Sequence, residues 1–148
     1  MTSTRQFRFR LQSQHPAPER TSTDLAVQWL NAEDNWEPQN LSLTMPGFRI
    51  YLISLLLCQH YYLVANARER QLPLARVEAE FSVTATQDWI LKSVIGTFHV
   101  QLDAGDGRGL PAQGSEADIA GIQERMKACP VSRNLQEGVE KITTIQIR

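Results

Sequence analysis

The alternation of apolar and polar positions divides this chain into two kinds of stretch. At residues 6–13, Phe7, Phe9 and Leu11 point one way and Arg8, Arg10 and Gln12 the other, the period-two mark of a half-buried strand. Residues 15–21 (HPAPERT) carry two prolines and predict a turn or loop. Residues 22–30 alternate again, with Leu25, Val27 and Trp29 on one face, so an antiparallel hairpin is expected. Residues 31–40 are polar and contain Pro38, and residues 41–45 predict a short edge strand.

The period then changes. Residues 46–70, PGFRIYLISLLLCQHYYLVANARER, predict one long helix that is apolar almost all the way round. Pro46 suits the first helical position, where its missing N–H leaves nothing unpaired. Arg68 and Arg70 suit the negative end of the helix dipole. A helix that is hydrophobic on every side has to be buried. Cys58 lies in its middle, either as a small core residue or as a reaction centre shielded from bulk water.

Strand periodicity returns at 74–86, where Val77, Ala79, Phe81, Val83 and Ala85 alternate with Glu78, Glu80, Ser82 and Thr84. Residues 87–92 predict a turn, with Trp89 as a lid on the core, and 93–102 the next strand. Residues 103–114 form a glycine-rich loop with no phosphate-binding turn after it. Ser115 reads as an N-cap, and Ile119, Ile122, Met126 and Cys129 make one apolar helix stripe that Pro130 stops. A short helical turn at 133–138 and a strand at 139–147 complete the chain. Runs of strands split by helices predict a single α+β domain over residues 1–148, with antiparallel sheets around the long central helix. That helix is too apolar for one chain to cover easily, so a homodimer is expected.

The chain's 148 residues suffice for one sizeable core, and its formal net charge of −1 argues against a nucleic-acid partner. The N-terminal stretch has arginines but no apolar block, so a signal peptide is not expected. The greasiest run, 50–57, falls short of a membrane span, and a cytoplasmic protein is expected. Cys58 and Cys129 are the only cysteines. In a reducing compartment such a pair is catalytic, metal-binding or incidental more often than a structural disulfide. Metal binding is disfavoured, because Cys58 and His60 point about 200° apart on a helix and no second ligand pair exists. No cofactor is implied. His60 reads most simply as a hydrogen-bonded helix residue. Phe48, Tyr51, Tyr61 and Tyr62 fit core, dimer contacts or the wall of a greasy pocket equally well.

Two thiols on two helices, one at mid-helix and one at a helix end beside a proline, suit a peroxidatic and resolving pair. A thiolate attacks the O–O bond of a peroxide and becomes a sulfenic acid, which the second thiol closes to a disulfide. The attacking sulfur must be ionised, and burial alone opposes that, so a cation has to be near.

The mid-helix Cys58 and the later Cys-Pro-Val-Ser at Cys129–Ser132, with the order of strands and helices along nearly the whole chain, resemble the OsmC/Ohr family. The resemblance implies an intertwined α+β homodimer that reduces organic hydroperoxides with thiols. It makes Cys58 peroxidatic and Cys129 resolving, with a dithiol such as a lipoyl protein, or a small thiol, as reductant. The family pattern also places a glutamate after the proline that opens the long helix, paired with an arginine from the N-terminal strands. Here no acidic residue occurs between Glu37 and Glu69, and Arg49 stands in that neighbourhood. Arg20 is the first choice for the N-terminal arginine, with Arg8 and Arg10 behind it. Either Arg49 lowers the pKa of Cys58, balanced by Glu33 or Glu37, or the activating network is lost. In the second case the chain is a divergent member, non-catalytic or of weak or altered activity, that binds a small apolar ligand at the dimer cleft. A third reading is a structural or stress-associated protein with incidental cysteines.

Overall fold

The computed structural model describes residues 3–103 and 116–147; most of the glycine-rich loop and the Ser115 cap lie outside them. Six strands form one sheet in the order β3-β2-β1-β4-β5-β6: β1 (Thr4–Gln14), β2 (Thr23–Leu30), β3 (Trp36–Pro38), β4 (Leu74–Thr86), β5 (Leu91–Leu102) and β6 (Glu140–Ile147). Among the described residues, three helices, α1 (Gly47–Glu69), α2 (Glu116–Lys127) and α3 (Pro130–Arg133), accompany the sheet.

The alternation read in the strands sets which face is covered. Phe9 and Leu11 of β1, Val77, Ala79, Phe81 and Val83 of β4, and Val94, Phe98 and Val100 of β5 all point into one core. Leu52, Ile53, Leu55, Leu56 and Leu63 of α1, and Ile122 and Met126 of α2, fill it from the helix side. The packing is tight at one glycine. A Cβ on Gly96 would sit 3.3 Å from ring carbons of both Phe81 and Phe98. The opposite face of the sheet carries Arg10, Gln12, Gln28, Glu78, Glu80 and His99.

Three expectations are corrected here. The sheet is mixed, because β6 pairs parallel with β5, reached by way of α2 and α3. The edge strand is Trp36–Pro38, not residues 41–45. Pro38 is tolerated there because the outer side of an edge strand needs no donor. Trp29 Nε1 donates to Glu37 Oε2 at 2.9 Å across that pair, and the Arg10 guanidinium lies 4.5 Å over the Trp36 ring. The short helical turn falls at Pro130–Arg133 rather than 133–138, since Pro at N1 and a Cys129 cap start a helix directly after the break.

The helix α1 is long and apolar enough by composition to cross a membrane, yet its buried positions pack on this sheet as a core helix does. Only part of it is covered: Leu57 and Cys58 are half-buried, and Tyr61 is exposed. Trp89 caps the N-terminal end of the core, its ring 6.0 Å from Phe7 and 5.3 Å from Phe48.

Candidate active site

Cys58 and Cys129 come together. Cys129 ends the segment after α2 and caps α3, its Sγ accepting from the Ser132 N–H at 3.4 Å. Both cysteines are free thiols, Cys58 half-buried and Cys129 fully buried. Cys58 is the neighbouring side chain that acts on the Cys129 thiol. Burial pushes the Cys129 thiol up to about 12. The neighbouring Cys58 side chain pushes the same way, against the amides of Ser132 and Val131. Cys129 therefore stays protonated at neutral pH and can only donate or be deprotonated by a partner as it reacts.

The two candidate arginines sit elsewhere. Arg49 and Cys58 are nine residues apart, which on a helix means opposite faces and about 13.5 Å of axis. The Arg49 guanidinium lies 3.7 Å over the Trp29 ring and 3.4 Å from Gln39 Oε1. Glu37, the acid expected near it, reaches Trp29 instead. Arg20 adopts φ 60°, a left-handed conformation that costs an arginine energy unless it is held. It is held: its guanidinium pairs with Asp103 and donates to the Leu74 carbonyl at 2.9 Å. Arg8 and Arg10 project from β1 on exposed positions. Among the described residues, none of these guanidinium contacts is with the Cys58 sulfur.

A second polar cluster was not anticipated. Ser13 Oγ lies 2.8 Å from His60 Nε2 and 2.9 Å from His15 Nε2, all three residues buried. His15 Nδ1 is 3.3 Å from the Arg20 carbonyl oxygen. A carbonyl only accepts, so His15 Nδ1 carries the proton and His15 Nε2 accepts from the Ser13 hydroxyl. Ser13 Oγ then accepts from His60 Nε2–H, and His60 Nδ1 is left as a lone pair. Burial, helped by the neighbouring His15, lowers the His60 pKa to about 4. Burial also lowers that of His15. Both rings are neutral at pH 7. The signal was in the sequence: Ser13 and His15 continue the inward phase of Phe7, Phe9 and Leu11, and a polar residue at an inward position needs a partner.

No protein-family model and no curated protein sequence matches the chain. Solved structures do. A candidate osmotic-stress-induced and detoxification-response protein from Psychrobacter arcticus superposes with a TM-score of 0.53 at 13% identity, over 83% of this chain and 89% of that one. An OsmC-like protein from Mycoplasma pneumoniae superposes with a TM-score of 0.53 at 11% identity, over 99% of this chain and 96% of that one. The six-strand sheet, the long helix bearing Cys58 and the position of Cys129 after the second helix thus build an OsmC/Ohr-family fold.

Proposed function

We propose that the protein is a thiol-dependent peroxidase for organic hydroperoxides. The nearness of Cys58 to the buried Cys129 thiol, felt in the raised pKa of Cys129, carries this reading. Two neighbouring thiols can become a disulfide by local motion, and the more exposed of them is the one a peroxide can reach. The Cys58 thiolate attacks the outer oxygen of ROOH, the O–O bond breaks, and RO⁻ takes up a proton to leave as ROH. The sulfur of Cys129 then attacks the Cys58 sulfenic acid. An S–S bond forms, and the hydroxyl departs as water with the Cys129 proton. A dithiol, a lipoyl protein or a small thiol, returns both sulfurs to thiols and is itself oxidised. Arg20 and Arg49 are the candidate cations for the thiolate, and each has to leave its present partner, Asp103 or Trp29, to reach it. The names of the fold neighbours, detoxification response among them, agree with this role.

The protein acts in this reading as a cytoplasmic, intertwined homodimer. Leu41, Leu43, Trp89 and Ile90 are exposed, and α1 keeps apolar surface uncovered. The chemistry is tested by intact mass and free-thiol count after one equivalent of cumene hydroperoxide. Loss of both thiols and two hydrogen atoms is expected, and two thiols surviving unchanged would refute it. A non-catalytic, ligand-binding protein on the same scaffold is the second reading, favoured by the engagement of both arginines elsewhere. It requires that no peroxide be consumed.

A further inference from the structure

We propose that the groove on the outer face of the sheet binds a short zwitterionic peptide, its C-terminal carboxylate on Arg10 and its N-terminal ammonium on Glu80. The groove crosses β2, β1 and β4 on the face turned away from α1 and measures about 640 Å³, within the range of small-molecule sites.

An ion pair that the register offers is left unmade here. Arg10 and Glu80 are cross-strand partners in the β1–β4 ladder. Side chains so placed have Cβ atoms about 5 Å apart, and opposite charges there ordinarily attract into contact. The Arg10 guanidinium is drawn the other way. Its Nε donates to Gln28 Oε1 at 2.5 Å, and its central carbon lies 4.5 Å over the Trp36 ring. Glu80 is left with no ion-pair or hydrogen-bond partner among the described residues. The next row differs, because Glu78 is neutralised by Arg76 at 2.6 Å. One cation and one anion therefore face the groove without a counter-charge. With the guanidinium reaching over β2 and Glu80 standing on β4, two strand spacings away, they lie on the order of 10 Å apart.

A simple ion of either sign would meet one of these groups and be repelled by the other. A zwitterion satisfies both. A single amino acid is too short to reach across, whereas an extended peptide of two or three residues spans about 7–10 Å. The lining between the charges suits a peptide backbone better than an apolar stem. Gln12, Gln28, Gln39 and Asn40 carry amides, which offer both donors and acceptors. His99 also lines the groove, and its Nδ1 is buried with no partner among the described residues. A turn of that ring toward a bound peptide group relieves the cost of the unmade bond.

The test is a nitrogen-15 NMR titration of the full-length, reduced protein at low ionic strength. The probes are trialanine, N-acetyl-trialanine and trialanine amide. Trialanine is expected to give saturable shifts at the Trp36 indole N–H and at backbone amides of β1 and β4. Blocking either end should weaken binding about fivefold, the upper worth of an exposed ion pair. Glu80→Gln should bring trialanine down to the affinity of the acetylated peptide and leave the acetylated peptide unchanged. Arg10→Gln should do the same with respect to the amide. Should Arg10→Gln fail to fold, Glu80→Gln with the acetylated peptide decides alone. Absence of saturable shifts, equal affinities of the three peptides for the wild type, or shifts confined to α1 would each overturn the proposal. The groove lies across the sheet from both cysteines, so failure here leaves the disulfide test untouched, and the converse holds.

Discussion

The two flanks of α1 bury polar groups in opposite ways. On one flank Cys58 meets Cys129, and each sulfur has the other as a neighbour. On the other, His60 meets Ser13 and His15 in a chain whose every inner donor and acceptor is matched. The residues that start these clusters are two apart in sequence, which a helix turns into nearly opposite directions. The thiol flank can be rewritten by chemistry, since two S–H groups can be exchanged for one S–S bond. The imidazole flank cannot, and any loss there strands a buried polar atom. The first arrangement suits reactivity, and the second suits fixing the geometry of a helix against a sheet.

The contrast breaks most visibly at the thiols. Cys58→Ser is expected to lower peroxide consumption at least about 100-fold, because the nucleophile itself is removed. Cys129→Ser should leave the first attack and trap Cys58 as a sulfenic acid, read by dimedone labelling and mass. Neither change should lower the melting temperature by more than a few degrees, since both replace a sulfur by a smaller isostere. A Cys58→Ser protein that consumes peroxide at the wild-type rate would make the two flanks chemically alike.

The imidazole flank should instead show itself in stability as a function of pH. His60 titrates near 4 when folded and near 6.5 when unfolded. Between those values the unfolded chain binds more protons than the folded one, so stability rises with pH. The contribution is complete above about pH 6.5 and is lost as pH falls toward 4, roughly 3 kcal/mol in all. His15, also lowered, adds in the same direction. Urea titrations from pH 4.5 to 7.5 measure this slope, and a flat profile would remove the neutral network. Ser13→Ala should cost about 2 kcal/mol at pH 7, because it strands the His60 N–H and the His15 lone pair in a dry interior. Denaturant midpoints for the variant check that value.

How far each flank could be read in advance follows from the kind of interaction involved. The α+β architecture and the long helix follow from periodicity and proline placement, both local signals, whereas a role for Cys58 with Cys129, far apart in sequence, rests on the Cys-Pro-Val-Ser resemblance. The parallel pairing of β6 with β5 was not legible, because β6 has Ile142 exposed and Thr143 buried, against the phase its isoleucines suggest. The imidazole cluster joins residues 47 positions apart, and no local pattern pairs them. Only the inward phase of Ser13 hinted that a partner existed. Arg49 could not be placed from the sequence either. Proximity in sequence to the start of α1 suggested a role at Cys58, whereas the helix carries it to the opposite face, over Trp29.

That placement gives the smallest and sharpest of the tests. The Arg49 guanidinium over Trp29 is a partly exposed cation–π contact, worth about 0.5–1 kcal/mol. Arg49→Ala should therefore lower stability by that amount, measured by urea titration, and quench or shift Trp29 fluorescence. With the arginine on its observed face, the rate at which iodoacetamide alkylates Cys58 in the Cys129→Ser background should not change. A severalfold slower alkylation in Arg49→Ala would mean that the guanidinium leaves Trp29 to hold the thiolate. It would tie the sheet-edge tryptophan, the helix start and the sulfur into one moving unit, and the separation between the two flanks would no longer hold.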